Sequence, residues 1–318
     1  MKKISRREFI SKSSMAGAMI AGHSLVPNLF ALNTSGTQQN PDISIANGTD
    51  YFAGTIKAVE QLGGIEKFVK KGDRVGLLAN SGYKTPGTFT RPDVLLAVAW
   101  LCKEAGAAGI YSFKGEDEKY WRKSPLYEKY KSLIADIKED ESDHKEVEIE
   151  EGKILKEADV YASFTNYDKV INIPILKNHG EIHLTCTLKN TMGISSFGTN
   201  IKFHLGSNYV TGAVKMLTNP YHNMDHLAQC IADLNLIRKW DLNVVDATEF
   251  ISTNGPSGPG QMLNENKIVA GADALAVEAV CGKYLDLKPQ DSVMIQKAYA
   301  NKLGEMNIDK LTISEVEV

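Results

Sequence analysis

The sequence lacks the short motifs that mark several common kinds of site. Its four cysteines lie far apart and form no C-x-x-C pair, so no iron–sulfur cluster motif or zinc knuckle is written in the chain. Neither a G-x-G-x-x-G nor a G-x-x-x-x-G-K-[ST] loop is present, which removes the usual signals for a nucleotide. The absence of a G-x-S-x-G turn argues against an α/β-hydrolase triad.

Long apolar runs and basic clusters are also scarce. No stretch beyond residue 31 approaches the length of apolar sequence that a membrane-spanning helix needs, so we expect no second membrane anchor. The chain has 36 Lys and Arg against 39 Asp and Glu, a formal net charge of -3. No Lys/Arg run marks an electrostatic surface for nucleic acid. Nucleic acid is therefore not an expected partner.

Residues 1–31 have the pattern of an export signal. Adjacent arginines, Arg6 and Arg7, precede a weakly apolar run from Met15 to Ile20. The segment "SRREFISK" resembles the twin-arginine translocation signal, whose substrates cross the membrane folded. We therefore expect a periplasmic or otherwise exported protein that uses the twin-arginine translocation machinery. Without this signal the chain would have 31 basic and 38 acidic residues, a net charge of -7 (36 - 5 and 39 - 1).

The rest of the chain predicts a tether followed by one α/β domain. Residues 32–48 are rich in turn formers and predict a flexible tether, with order beginning near Asp50 and the domain covering residues 49–318. Short apolar runs alternate with segments of helical periodicity, which predicts a mostly parallel or mixed sheet flanked by helices. The main strand candidates are "DRVGLLAN", "AGIYSF", "DKVINIPIL", "DLNVVDA" and "NKIVA".

Two lysines follow the candidate central strand "DKVINIPIL". Pro174 is expected to end that strand, so the chain would present Lys177 and His179 from a loop at the sheet edge where ligands bind. Lys177 and Lys189, with backbone N–H groups from Asn190 onward, suit a small anionic ligand such as a phosphate or carboxylate. A lysine in a partly dry site can also serve as a base or an imine-forming amine.

Histidines are concentrated in the same part of the chain. His179 and His183 have a spacing that would place them on one helix face, although a loop followed by a helix near residue 181 fits the sequence equally well. With His204 and His222 they form a candidate set of ligands for one transition-metal ion, zinc or iron. The alternative is that they are ordinary surface, capping or core histidines. His226 begins a stronger helix pattern.

Other polar residues lie near predicted strand ends. Asn80 follows the first strand of the domain, and Asp246 follows the apolar run "NVV". Gly255 belongs to the glycine–proline loop "TNGPSGPGQ", whose backbone groups are suited to approach a ligand. These residues are weaker candidates for ligand binding.

The segment "VINIPILKNHGEIHLTCTLKNTMG" resembles the pattern "vInvPklKtH…vTgalKNlfG" that is characteristic of the DUF362 family. The resemblance extends over roughly residues 50–305. The family name records that its activity is not generally established. The positions that match the family are Pro174, Lys177, His179, Thr185, Lys189, Asn190, Gly193, His226, Asp246, Gly255, Pro256 and Asp273.

The chain departs from the family pattern at several positions. Leu78 and Ile175 stand where lysine is common, and Glu278 stands where aspartate is usual. Some relatives carry ferredoxin-like cysteine motifs, which this chain lacks. The resemblance therefore implies a shared site but no electron transfer through a cluster of its own.

Three kinds of function remain open on the sequence. The first is an enzyme with oxidoreductase or proton-transfer chemistry on a small anionic ligand, with or without a metal ion; redox chemistry is what the resemblance and the export signal favour. The second is a non-catalytic anion or metal receptor, and the third is an accessory protein for a redox partner protein. The expected catalytic residues are Lys177, His179, Lys189 and Asn190. The expected ligand-binding residues are Asn80, His226, Asp246, Gly255 and Asp273.

Overall fold

Strands and helices alternate along the chain as the apolar pattern predicts. The computed structural model describes residues 40–205 and 224–318. The predicted export signal, the tether up to residue 39, and His222 lie outside the described residues. No helix within the described ranges is long and apolar enough to cross a membrane.

Twelve strands are described. They are β1 (Ile43–Asn47), β2 (Arg74–Ala79), β3 (Gly109–Ser112), β4 (Ile137–Glu139), β5 (His144–Glu148), β6 (Glu157–Tyr161), β7 (Lys169–Ile173), β8 (Lys177–His179), β9 (His183–Thr185), β10 (Leu242–Ile251), β11 (Met262–Gly271) and β12 (Ile313–Glu317).

Eight of these strands form one mixed sheet in the order β12-β1-β11-β10-β7-β2-β3-β4. The strands from β10 to β4 are parallel to one another. β11 is antiparallel to both of its neighbours. β5 pairs with β6, and β8 pairs with β9, in two separate antiparallel hairpins. The prediction of a mostly parallel or mixed sheet flanked by helices is confirmed.

Helices cover both faces of the sheet. They are α1 (Tyr51–Gln61), α2 (Pro92–Glu104), α3 (Glu118–Trp121), α4 (Lys131–Asp136), α5 (Thr187–Asn190), α6 (Phe197–Leu205), α7 (Met224–Leu234), α8 (Ala274–Gly282) and α9 (Val293–Ala300). α1 and α2 pack on one face, and α5 to α9 lie on the other.

The central strands are buried on both faces, which explains their unbroken apolar runs. Leu77 belongs to the core beneath α1 and α2, and its neighbour Leu78 belongs to the core beneath α8 and α9. Val244 and Val245 of β10 are divided between the two cores in the same way. All four cysteines are buried thiols.

The sheet contains three strands that the sequence did not predict, β1, β4 and β12, and β1 changes where the domain begins. β1 lies within the segment expected to be a tether, and it pairs with both β11 and β12. Ile43 and Ile45 are fully buried. The tether prediction is therefore wrong over its last residues, and the ordered domain begins before Asp50. The error arose because β1 is short, lies between polar turn formers, and pairs with strands far away in sequence.

We expect a chain that begins at Asp50 to be much less stable than one that begins at Asn40. The shorter chain loses β1, and the burial of its two isoleucines contributes about 3–6 kcal/mol. Urea unfolding of the two truncated proteins would measure the difference. Equal free energies of unfolding would show that β1 does not contribute to the stability of the domain.

Candidate functional site

A pocket lies at the carboxyl ends of three neighbouring parallel strands, β7, β2 and β3. Its volume is about 310 Å³. Loops converge at this edge of an open α/β sheet, and ligands bind there. We call it the lysine pocket. The lining residues that matter for its chemistry are Asn80, Tyr83, Lys114, Lys177, His179, Thr185, Lys189, Asn190 and His204.

A short hairpin carries Lys177 and His179 into the lysine pocket. The chain leaves β7 at Pro174, which has no backbone N–H for a sheet ladder. β8 and β9 then pair with Lys177 opposite Thr185 and with His179 opposite His183. Directly opposed residues and residues two apart share a face of a hairpin. Neither the helix nor the loop followed by a helix that we considered for this segment forms.

Lys177 is a buried lysine held by the loop that follows β2. Its side chain is 0% exposed. Nζ donates to the Thr88 backbone oxygen at 2.6 Å and lies 3.6 Å from the centre of the Tyr83 ring. Burial, and to a lesser degree the positive charge of Lys189, lowers the pKa of Lys177 to about 7. Near neutral pH this amine is therefore divided between its charged and neutral forms.

Lys189 is more exposed than Lys177. It lies in α5 and is half-buried. The hydrogen bond that Nζ makes within the described ranges goes to Met192 Sδ at 3.1 Å, and a thioether is a weak acceptor. Burial lowers the pKa of Lys189 to about 8, against the opposing charge of Glu181. Lys189 is therefore mostly charged at neutral pH and has donors left for a ligand.

His179 is neutral and carries its proton on Nε2. The side chain is 4% exposed, and Nδ1 accepts the Glu181 backbone N–H at 3.2 Å. Burial, reinforced by the charges of Lys189, His204 and Lys177, lowers the pKa of His179 to about 2. Because Nδ1 is an acceptor, the ring proton belongs to Nε2, and His179 is a neutral hydrogen-bond donor.

Positive groups dominate the lysine pocket. Among the described residues that line it, none is Asp or Glu. The nearby Glu181 is engaged with His204, whose Nδ1 lies 3.2 Å from Glu181 Oε2. This contact lowers the pKa of the Glu181 carboxyl. The lining of the pocket is therefore suited to a small anion, and the anionic ligand stays a prediction.

Asn190 anchors α5 to the sheet. Its Nδ2 donates to Leu78 O at 3.1 Å and to Asn172 Oδ1 at 2.8 Å. Asn172 Nδ2 donates in turn to Asn243 Oδ1 at 3.1 Å and to Thr187 O at 2.9 Å. Both amide hydrogens of Asn190 are thus used within the protein. Asn190 lines the pocket as predicted, but its role is to position α5 and Lys189.

The expected catalytic, ligand-binding and metal residues did not include Thr185, Tyr83 or Lys114, all of which line the pocket. Thr185 lies opposite Lys177 in the hairpin. The sequence signal for this hairpin is a pair of short segments with alternating residues, "KNH" and "HLT", joined by a short connection that contains glycine. Tyr83 belongs to the loop after β2. Lys114 follows β3, and its Nζ donates to Gly193 O at 2.6 Å. The strand-end argument used for Asn80, which does line the pocket, would also have found Lys114.

Asp246 and Asp273 lie outside the lysine pocket and have structural partners. Asp246 Oδ2 accepts the Arg91 backbone N–H at 2.7 Å, and its Oδ1 accepts the Thr248 hydroxyl at 2.6 Å. Asp273 caps α8 by accepting the Ala276 backbone N–H at 3.0 Å. The structure corrects the prediction that these carboxylates bind a ligand together with Lys177, because their oxygens are committed to the fold.

His226 and Gly255 were expected to bind the ligand, but neither residue lines the lysine pocket. His226 Nε2 lies 3.3 Å from the Lys202 backbone oxygen, away from the pocket lining. The Gly255 backbone N–H donates to Asn178 Oδ1 at 3.0 Å, and a Cβ at this glycine would overlap the Asn178 carbonyl. Gly255 therefore fastens its loop to the hairpin, and the neighbouring Pro256 is the residue that lines the pocket.

The predicted metal ligands are only partly brought together. His179 and His204 line the pocket, whereas His183 is exposed in the hairpin. Within residues 40–205 and 224–318, no three His, Cys, Asp or Glu side chains form a group that could hold a metal ion. His222 lies outside the described residues. The described residues therefore bring two of the four predicted ligands, His179 and His204, to the pocket, and a metal ion stays a prediction.

Comparisons with known proteins give a family and two relatives. The family model described as Domain of unknown function (DUF362) matches residues 75–283. A thylakoid-associated protein of Synechocystis sp. is 28% identical over 264 residues, which cover 78% of this chain and 75% of that protein. The lactate racemase apoprotein from Thermoanaerobacterium thermosaccharolyticum matches with a TM-score of 0.44 and 13% identity, covering 74% of this chain. This chain spans 55% of that racemase chain.

The lowered pKa of Lys177 predicts a pH-dependent stability. An unfolded lysine has a pKa of about 10.4, whereas that of folded Lys177 is about 7. Between these values the unfolded chain binds a proton that the folded chain does not, so stability rises with pH. We expect the free energy of unfolding of the wild type, relative to Lys177→Met, to increase from pH 7 to pH 9.5, by at most about 1.4 kcal/mol per pH unit.

Urea unfolding at constant ionic strength would measure this difference. Lys84→Met is the matched control, because Lys84 is an exposed lysine next to Tyr83 that does not line the pocket. The free energy of unfolding of the control should differ from that of the wild type by the same amount at every pH. If the difference in free energy of unfolding between the wild type and Lys177→Met is also the same at every pH, this result would contradict the lowered pKa of Lys177.

Proposed function

This chain belongs to the DUF362 family, and we propose that its lysine pocket is an active site that moves a proton on a small carboxylate. The observation that carries the proposal is the pairing of two unlike lysines in one pocket. Lys189 is mostly charged and has free donors, whereas Lys177 is shielded and has a pKa near neutrality. The first suits the binding of an anion, and the second suits a base.

Each side chain has a distinct role in the proposed reaction. Lys189 Nζ and the Nε2–H of His179 bind the carboxylate oxygens. The neutral amine of Lys177 takes a proton from the carbon next to the carboxylate and becomes an ammonium group. The electron pair of the broken C–H bond moves onto the carboxylate, where the same two donors stabilise the additional negative charge. Return of the proton completes the cycle.

The surroundings of Lys177 favour catalysis over simple binding. A receptor for an anion gains from a lysine that is fully charged, and lowering its pKa to about 7 weakens its attraction for the anion at neutral pH. A base gains from a pKa near the working pH. Tyr83 and Thr88 exclude water from the amine, which strengthens electrostatic interactions inside the pocket. These contacts support an enzyme over a non-catalytic receptor or an accessory protein.

We expect the protein to exchange hydrogen for deuterium at the carbon next to the carboxylate. The assay is proton NMR in D₂O with a panel of unsubstituted, hydroxy- and oxo-carboxylates. Lys177→Met should slow the exchange by about 100-fold or more, because it removes the base. Lys189→Met should weaken binding of the carboxylate. Lys84→Met should leave both the rate of exchange and the binding of the carboxylate unchanged.

The outcomes of this assay are distinct. Binding without exchange for every carboxylate, in the wild type, would favour the receptor. An oxidised product in place of exchange would favour the oxidoreductase alternative. Exchange that survives in Lys177→Met would remove this lysine from the proposed mechanism.

Export is a separate proposal that rests on residues 1–31. We expect replacement of Arg6 and Arg7 by lysine to retain the protein in the cytoplasm with an uncut N-terminus, because the paired arginines are the recognised feature of a twin-arginine signal. Fractionation of cells and the intact mass of the protein would measure this. Unchanged export of the double variant would refute the twin-arginine assignment.

A further inference from the structure

Thr185 has a buried hydroxyl group without a partner. The residue is 3% exposed and lines the lysine pocket. Within the part of the chain that the structure describes, Thr185 Oγ1 has no hydrogen-bond partner. Other buried side-chain oxygens in the described part of the chain also lack a hydrogen-bond partner. Among the residues that carry such an oxygen, Thr185 is the one that lines the lysine pocket. Buried hydroxyl groups are nearly always hydrogen-bonded, so this one requires an explanation.

Neighbouring threonines on the same segment are satisfied within the protein. Thr187 Oγ1 donates to the Ala274 backbone oxygen at 2.7 Å, and Thr191 Oγ1 donates to Asn235 Oδ1 at 2.9 Å. The segment is therefore not loosely packed or generally under-bonded. Among these three threonines, the one whose hydroxyl group has no partner in the described part of the chain is Thr185, which lines the pocket.

The hairpin register places this hydroxyl beside the proposed base. Thr185 is directly opposite Lys177 in the β8–β9 pair, and opposed side chains lie on the same face with their Cβ atoms about 5 Å apart. His179 shares that face, since it is two residues from Lys177. A ligand held by Lys189 and His179 within a cavity of about 310 Å³ is thus close to the Thr185 hydroxyl as well.

We infer that Thr185 selects the ligand, and that the ligand is a small carboxylate bearing a second oxygen, as a hydroxyl or a carbonyl group. A hydroxyl group both donates and accepts, so Thr185 can pair with either kind of oxygen. A site with a buried polar group rejects an analogue that leaves this group unpaired. This inference rests on the proposed function, because it assumes that Lys189 binds the carboxylate.

The test compares carboxylates that differ by one hydroxyl group. Isothermal titration calorimetry would measure binding of acetate against glycolate and of succinate against malate. We expect the wild type to bind each hydroxy acid about tenfold more tightly than its partner. Thr185→Val should reduce this preference to about threefold or less, whereas Thr185→Ser should retain it. Lys189→Met should weaken binding of all four acids.

Thermal unfolding without ligand separates a binding role from a structural one. Valine has the shape of threonine, and it replaces a hydroxyl group that has no partner in the described part of the chain. Thr185→Val should therefore unfold at the same temperature as the wild type or a higher one. A clear decrease would mean that the hydroxyl group stabilises the fold, and it would overturn the inference.

The remaining outcomes separate the inference from the proposed function. If the wild type binds acetate as tightly as glycolate and succinate as tightly as malate, while Lys189→Met weakens binding, the inference is wrong and the anion site stands. If the preference exists but survives in Thr185→Val, another residue is responsible and the inference is again wrong. If the wild type binds none of the four acids, the proposed function and the inference both fail.

Discussion

The geometry of the lysine pocket depends on a chain of buried amides at the end of β7 and the start of β10. Asn243 Nδ2 donates to the Gly271 and Ala272 backbone oxygens, and its Oδ1 accepts from Asn172. Asn172 in turn accepts from Asn190. These side chains lie where the sheet is covered on both faces, so each polar atom needs a partner inside the protein. The chain of bonds ties α5, and Lys189 with it, to the sheet.

This support permits the buried Lys177 and the half-buried Lys189 to share one pocket. Removing a lysine from water disfavours its charged form, and a second positive charge nearby has the same effect. The protein meets this constraint by lowering the pKa of both amines and by giving Lys177 the Thr88 carbonyl and the Tyr83 ring. A flexible loop would let the amines separate into solvent. The hairpin, which Gly255 fastens through Asn178, prevents Lys177 from doing so.

The sheet was predictable from the sequence, but the grouping of the site residues was predictable only in part. Apolar runs identify β2, β7 and β10 because they are buried on both faces, and the strand-end argument correctly places Asn80 and Lys177 in one pocket. It fails for Asp246 because β10 continues past this residue, to Ile251. The spacing of His179 and His183 fits one turn of a helix, but in the hairpin these residues are opposed across a tight connection. Spacing alone does not distinguish the two arrangements.

The conflict between burial and charge also explains why Lys177, His179 and Lys189 follow the buried strand β7. Before an anion binds, Lys177 is divided between its charged and neutral forms near neutral pH, His179 is neutral, and Lys189 is mostly charged. An anion near these groups stabilises their protonated forms and raises the pKa of both lysines. Binding of the anion and uptake of a proton by Lys177 therefore favour each other. For a base this coupling has two opposing consequences. The negative charge of the ligand makes Lys177 a stronger acceptor for the proton that the ligand supplies, and it also lowers the fraction of the complex in which Lys177 is neutral and able to accept that proton.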